Sequence, residues 1–245
     1  MTTSQLEGFL LINKPTDFTS HDVVNVIRKI TGIRRTGHAG TLDPFATGLL
    51  IVGVGRGATK HMQKLVGLEK TYKATFVLGA SSDTDDVTGT LIPQPLSSFP
   101  SENELQTAIA SFLGPIQQIP PAYSAIKIKG QKMYEAARKG KPIHAEPRSV
   151  VIYHYDLISP LHLENKGTCS FSVTISCSSG TYIRALARDL GHNLNTGGYV
   201  KTLERTRIGP FSLNQSQQLE DLTSDNWITY LLPVEKMQNT LKISL

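Results

Sequence analysis

The order in which strand-like and helix-like stretches follow one another constrains this chain more than any single residue does. Apolar runs or period-2 alternation mark strands at "GFLLINKP" (8–15), "LLIVGVG" (49–55), "KTYKATFVLGA" (70–80), "RSVVIYHYDLIS" (148–159) and "CSFSVTISCSS" (169–179). The first is closed by Pro15. The second is apolar almost throughout and reads as a buried strand. In the last, Cys169, Phe171, Val173, Ile175 and Cys177 face one way and serines and threonines the other, the pattern of a half-buried strand. Helical periodicity falls between these stretches without a regular strand–helix–strand rhythm. The expectation is therefore an α+β fold, a mixed and mostly antiparallel sheet flanked by helices and loops.

Helix boundaries follow from caps. Ser20 suits an N-cap, Val23, Ile27 and Ile30 share a face, and Gly32 supplies a stop. Ser101 and Glu104 form a capping box, Leu105, Ile109 and Phe112 line one face, and Gly114 ends that helix. In "GTYIRALARDLGHNL" (180–194) Ile183, Leu186, Ala187 and Leu190 face inward, which puts Arg184 and Arg188 together on another face. "YVKTLERTRIGPFSL" reads as a strand and turn, "SSDTDDVTG" (81–89) as an acidic turn, and a last helix is expected over "QLEDLTSDNWITYLL". No repeat, low-complexity block or linker divides the 245 residues, so one domain over 1–245 is expected.

Composition narrows the class. Hydrophobic residues make up 39% and charged residues 18%, as in a soluble globular protein. The excess of 25 Lys and Arg over 20 Asp and Glu fits a polyanionic partner. The N-terminus has no signal-peptide pattern, and the longest apolar run is too short to span a bilayer, which together point to the cytoplasm. Cys169 and Cys177 cannot build a disulfide framework, and the seven histidines show no metal-ligand spacing, so no metal is expected.

The stretch "GHAGTLDPFATGLL" (37–50) carries the chemistry. Asp43 is the one acid in a loop with Gly37, Gly40 and Gly48, which let a backbone approach another molecule, and with His38, Thr41 and Thr47, which add hydrogen-bonding groups. No second acid is close in sequence, so paired-carboxylate chemistry is not signalled. The residue types alone leave two readings, an Asp-Pro turn or a nucleophile or acid–base group.

That stretch resembles the catalytic motif of the TruB family of tRNA pseudouridine synthases, of the form Gly-His-x-Gly-x-Leu-Asp-Pro-x-Ala-x-Gly-x-Leu, at every fixed position. "LLINKPTDFTSHDVV", "KTYKATFVLGASSDTDDVTG", "QIPPAYSAIKIKGQKMYEAARKG", "SSGTYIRALARDLG" and "LERTRIGPF" resemble further blocks of that family, in order. The resemblance implies the pseudouridine synthase fold and isomerisation of uridine 55 in the T loop of tRNA after base flipping. It implies that Asp43 is the catalytic aspartate, attacking ribose C1′ or base C6 or abstracting a ribose proton. Tyr72, a further catalytic residue, would stack on the flipped uracil with its hydroxyl placed to take the C5 proton at the end, and Arg184 would pair with Asp43. His38 would fill the space the base leaves and Leu203 would pack on the base. Without the resemblance, His38 is a loop cap, Tyr72 and Leu203 are core, Arg184 is an exposed helix arginine, and Asp85 and Asp86 belong to a solvated turn.

The resemblance further implies a thumb over about 120–145 that clamps RNA through Lys127, Lys129, Lys132, Arg138, Lys139 and Lys141; Arg34, Arg35 and Lys60 are further phosphate candidates. It implies no cofactor, no obligate protein partner and a monomer, with the T stem-loop of tRNA as partner. The PUA-type domain that ends longer members is expected to be absent. Two rivals share the motif or the fold: a guide-RNA-dependent pseudouridine synthase and a non-catalytic tRNA-binding folding chaperone.

Overall fold

The computed structural model describes residues 6–94, 98–124, 126–128, 130–138, 143, 145–164 and 167–241, with Lys127, Lys132 and Arg138 described by backbone alone. The chain divides into two compact units, Met1–Tyr72 with Leu203–Leu245, and Lys73–Thr202.

The elements begin with β1 (Gly8–Lys14), α1 (Ser20–Thr31), β2 (Thr36–His38), β3 (Thr47–Val54), α2 (Arg56–Thr59), α3 (Met62–Val66) and β4 (Lys70–Leu78). Then come β5 (Ala80–Ser82), β6 (Leu91–Pro93), α4 (Glu102–Ala110), β7 (Gly114–Gln118), β8 (Lys127–Ile128), β9 (Gln131–Lys132) and α5 (Met133–Arg138). The rest are β10 (Arg148–Leu157), β11 (His162–Glu164), β12 (Thr168–Cys177), α6 (Ile183–Asn193), β13 (Gly198–Ile208), β14 (Phe211–Ser212), β15 (Gln217–Gln218), β16 (Leu232–Pro233) and α7 (Val234–Leu241).

In the first unit the strands run β15-β1-β3-β13. β1 pairs antiparallel with β3 from Gly8↔Val54 to Lys14↔Gly48, whereas β13 meets β3 in parallel at Glu204↔Thr47 and Arg205↔Gly48. The apolar run of β3 is continuous because both of its faces are covered. Leu50, Val52 and Val54 pack with Leu10, Ile12, Val23, Ile27 and Trp227. Leu49 and Ile51 pack on the other side with Phe9, Leu65, Ile208 and Phe211. Each such buried side chain contributes about 1.5–3 kcal/mol.

Helix α1 starts one residue earlier than expected. Thr19, in extended backbone, is the N-cap: its hydroxyl accepts from the Asp22 N–H, and the Asp22 carboxylate accepts in return from the Thr19 N–H. Ser20 becomes the first helical residue, buried, with its hydroxyl turned to the backbone of Leu42. Gly32 closes the helix as expected, through its N–H to Arg28 O.

The last helix is also corrected. Residues 219–221 and 227–230 form only short 3-10 turns, and the helix runs over Val234–Leu241. Side chains there compete with the helical ladder. Asn226 Oδ1 accepts the Thr223 N–H, Asn226 Nδ2 donates to Asp221 O, and Thr223 Oγ1 accepts the Asp225 N–H.

In the second unit the strands run β4-β12-β10-β7, and β10 pairs antiparallel with both β12 and β7. The five inward residues of β12 are buried as their alternation implies. Phe171 and Tyr155 meet Phe76 edge-on, at 6.0 and 6.4 Å. The Ser101–Glu104 box caps α4, but the helix stops at Ala110 with Ser111 as its cap; Phe112 is buried beyond its end, and Gly114 opens β7 instead. Among the described residues no helix is long and apolar enough to cross a membrane.

Candidate active site

The Asp43 loop joins β2 to β3, and its backbone is tied down on both sides of the carboxylate. Ahead of Asp43, Arg205 Nη2 donates to Gly40 O at 3.1 Å and Nη1 to Thr41 O at 3.4 Å, while the Leu42 N–H donates to Ser20 Oγ at 2.8 Å. Behind it, the Asp17 N–H and Lys14 Nζ both donate to Pro44 O, at 2.9 and 3.1 Å, and the Ala46 N–H donates to Asp43 O at 3.1 Å. Arg205 Nε then reaches Leu49 O at 2.8 Å. Irregular backbone near a core is tolerated because its carbonyls are satisfied in this way.

Gly48 is required at the loop's exit. Its φ is +102°, and a Cβ there would lie 2.4 Å from the Arg205 carbonyl oxygen. The close parallel approach of β3 and β13 therefore leaves no room for a side chain at 48.

Charge is dense around this loop. Lys14 is fully buried and its ammonium also donates to Pro15 O and Phe18 O, at 2.8 and 2.6 Å. Desolvation brings its pKa down to about 8, with the Asp43 and Asp17 carboxylates opposing the fall. His38, half-buried on β2, has its pKa lowered by burial first and by the nearby Arg205 guanidinium second, so its ring is mostly neutral at pH 7. Its Nδ1 is buried without a hydrogen-bond partner.

Tyr72 and Leu203, both buried, belong to the same unit. Leu203 and Arg205, two apart on β13, share a face. The Thr206 hydroxyl donates to Thr71 O, fixing β13 beside the residue that precedes Tyr72.

Arg184 lies in the second unit, at the start of α6, and is buried rather than exposed. Its Nη1 sits 3.3 Å from Asp86 Oδ2 and donates to Thr84 O at 2.8 Å; Nη2 donates to Tyr123 O at 2.9 Å. One helical turn on, Arg188 Nη1 donates to Asp85 Oδ2 at 3.0 Å and Nη2 to Ile119 O at 2.8 Å. The acidic turn is thus no solvated turn. Asp85 and Asp86 are buried, Asp85 at a left-handed φ of 62°, and Asp86 Oδ1 accepts from the hydroxyls of Thr84 and Thr88 and the Thr88 N–H. Burial pushes the Asp85 carboxyl up to about 6, against the pull of Arg188 and Arg184. A cleft of about 180 Å³ opens beside this network, lined by Asp83, Asp85, Ile119, Met133, Ile143 and Arg188.

Of the expected phosphate contacts, Arg34, Arg35 and Lys60 are exposed. The backbones of Lys127, Lys132 and Arg138 lie in β8, β9 and α5, whereas Lys129, Lys139 and Lys141 lie outside the described residues. Among the described residues no three His, Cys, Asp or Glu side chains group to hold a metal ion. Sequence reasoning missed the grip of Ser20, Lys14 and Arg205 on the loop. The only signal for it was their place in blocks that resemble the family.

Comparison with known proteins covers nearly the whole chain. The model of the "TruB family pseudouridylate synthase (N terminal domain)" matches residues 28–183, and that of the "tRNA pseudouridylate synthase B C-terminal domain" matches 184–238. The tRNA pseudouridine synthase B of Paenarthrobacter aurescens is 42% identical over 220 residues, 90% of this chain and 70% of that protein. Its counterpart from Acholeplasma laidlawii is 46% identical over 230 residues, 94% of this chain and 79% of the other. Among solved structures, a chain of a Cbf5-Nop10-Gar1 complex superimposes with a TM-score of 0.68 at 27% identity, covering 95% of this chain and 62% of that one.

Proposed function

The chain belongs to the TruB family of pseudouridylate synthases, and on that premise we propose that it isomerises uridine 55 in the T loop of tRNA to pseudouridine. The bond between N1 and C1′ breaks, the base turns, and C5 bonds to C1′. C5 loses its proton and N1 takes one up, so the reaction is redox-neutral and draws on no cofactor. The target base is stacked in its loop and must be flipped out to be reached.

Asp43 is the catalytic carboxylate, Arg184 orients it, and Tyr72 and Leu203 receive the flipped base. Neutral His38 fills the vacated space. The observation that best supports this reading is the anchoring of the loop backbone before and after Asp43, by Ser20 and Arg205 on one side and by Lys14 and the Asp17 N–H on the other. Satisfied carbonyls alone suffice for a turn aspartate of no function; a reacting carboxylate gains more from the same anchoring, because preorganisation removes reorientation from the barrier. Arg34, Arg35, Lys60 and the 127–141 segment bind RNA phosphates, and the T stem-loop is recognised by shape and flipped bases, without guide RNA or an obligate protein partner.

Asp43→Asn tests the assignment, since it keeps the size of the side chain and removes its charge. Release of tritium from 5-tritiated uridine in an unmodified transcript, with no guide RNA present, should cease, while filter binding of the same RNA stays within about threefold, because affinity rests on phosphates and stacking. Appreciable turnover by the variant would return Asp43 to the role of a turn residue. A wild-type protein inert without guide RNA would favour the guide-dependent reading.

A further inference from the structure

We propose that Arg205 is a positioning residue for turnover, its guanidinium holding the backbone on both sides of Asp43 so that the carboxylate meets the nucleotide in one geometry. The inference rests on the assignment of Asp43 as the catalytic group. Arg205 is 1% exposed, among the largest fully buried side chains of the protein. A guanidinium placed so deep costs much in desolvation unless its donors are used. Here they are spent on loop carbonyls: Gly40 and Thr41 where the chain approaches Asp43, and Leu49 where β3 has taken over.

Backbone pairing alone leaves this junction weak. β13 meets β3 in register at only two positions, Glu204↔Thr47 and Arg205↔Gly48. The fork of Arg205 extends that short ladder to the near side of the loop, which no ladder bond of β13 reaches.

The other anchors do less. Ser20 grips Leu42, and Lys14 grips Pro44. Neither reaches both entry and exit. A planar fork with donors in fixed directions can, and a lysine cannot reproduce it. Leu203 shares the face of β13 that carries Arg205, so the strand that sets the loop also sets an apolar wall expected at the base. A displacement of about 1 Å in such an arrangement costs roughly a hundredfold in rate.

The test uses the whole protein and a T-arm hairpin, with wild type and Asp43→Asn as references. Arg205→Lys and Arg205→Met are compared by single-turnover rate, by Kd for the hairpin and by thermal unfolding, each rate being referred to the folded fraction. The expected result is a folded Arg205→Lys with Kd within about threefold and a rate lower by about 10–100-fold, and a slower Arg205→Met. A folded Arg205→Lys reacting within twofold of wild type overturns the proposal. So does a rate loss that only follows the folded fraction, or the failure of both variants to fold at any temperature, either of which makes Arg205 a fold residue alone. Turnover by Asp43→Asn would instead remove the assignment on which the proposal stands, and the two failures are told apart by which variant reacts.

Discussion

Burial holds Asp85 at a cost. Its carboxyl binds a proton more tightly in the fold than in the unfolded chain, with a pKa raised from 3.8 to about 6. Between those values the native state holds more proton, so this group's contribution to stability falls as pH rises from about 4 to 6 and stays low above that. Asp85→Asn removes the effect. The difference in Tm, variant minus wild type, should therefore climb by several degrees between pH 4 and 6.5, reflecting at most about 3 kcal/mol. A flat difference across that range would refute the burial argument. At this scale legibility was uneven. Asp43, Tyr72 and Arg184 stand out because each sits in a short block that resembles the family. Arg205 does not, because its partners are 156, 164 and 165 residues away and are backbone carbonyls, which carry no residue signature. The turn of Asp85 and Asp86 reads as solvated for the same reason: the arginines that meet them lie about 100 residues further on.

At the scale of elements, α6 shows how little room the packing leaves. A Cβ at Gly191 would lie 2.3 Å from the Gly197 carbonyl carbon and 2.4 Å from the Gly198 nitrogen, both backbone. Gly191→Ala is expected to push the helix off that turn at a cost of about 1–3 kcal/mol, seen as a lower urea midpoint at unchanged m-value. It should also slow turnover, because the same helix carries Arg184. An unaltered midpoint would mean that the helix shifts freely. Elements with a strong period or a side-chain cap were legible: β1, β3, β12, the face of α1 and the start of α4. The stretch 218–232 misled because Leu219, Leu222 and Trp227, all buried, do pack into the core, but from turns closed by Thr223 and Asn226. Apolar spacing reports burial; it does not distinguish a helix from turns when Asn, Asp, Ser and Thr supply competing hydrogen bonds.

For the molecule as a whole, a net charge of +5 and the basic residues of 127–141 set the expectation for RNA binding. Replacing Lys127, Lys132 and Arg138 together by alanine should flatten the slope of log K against log salt by about 0.7–0.9 for each phosphate that the protein no longer neutralises. An unchanged slope would remove that segment from the footprint. The division of the chain has a further effect, on how the protein is made. Lys73–Thr202 is one uninterrupted span, while the unit that bears Asp43 is assembled from segments on either side of it. The inner span can collapse while the chain is still being translated, but β1 lacks β15 and β16, and the Asp43 loop lacks Arg205, until the later segment leaves the ribosome. At about 5–20 residues per second, the 156 positions between Leu49 and Arg205 amount to roughly eight to thirty seconds. Throughout that interval β3 is an apolar strand without its parallel partner, the kind of unpaired edge that invites aggregation until β13 arrives.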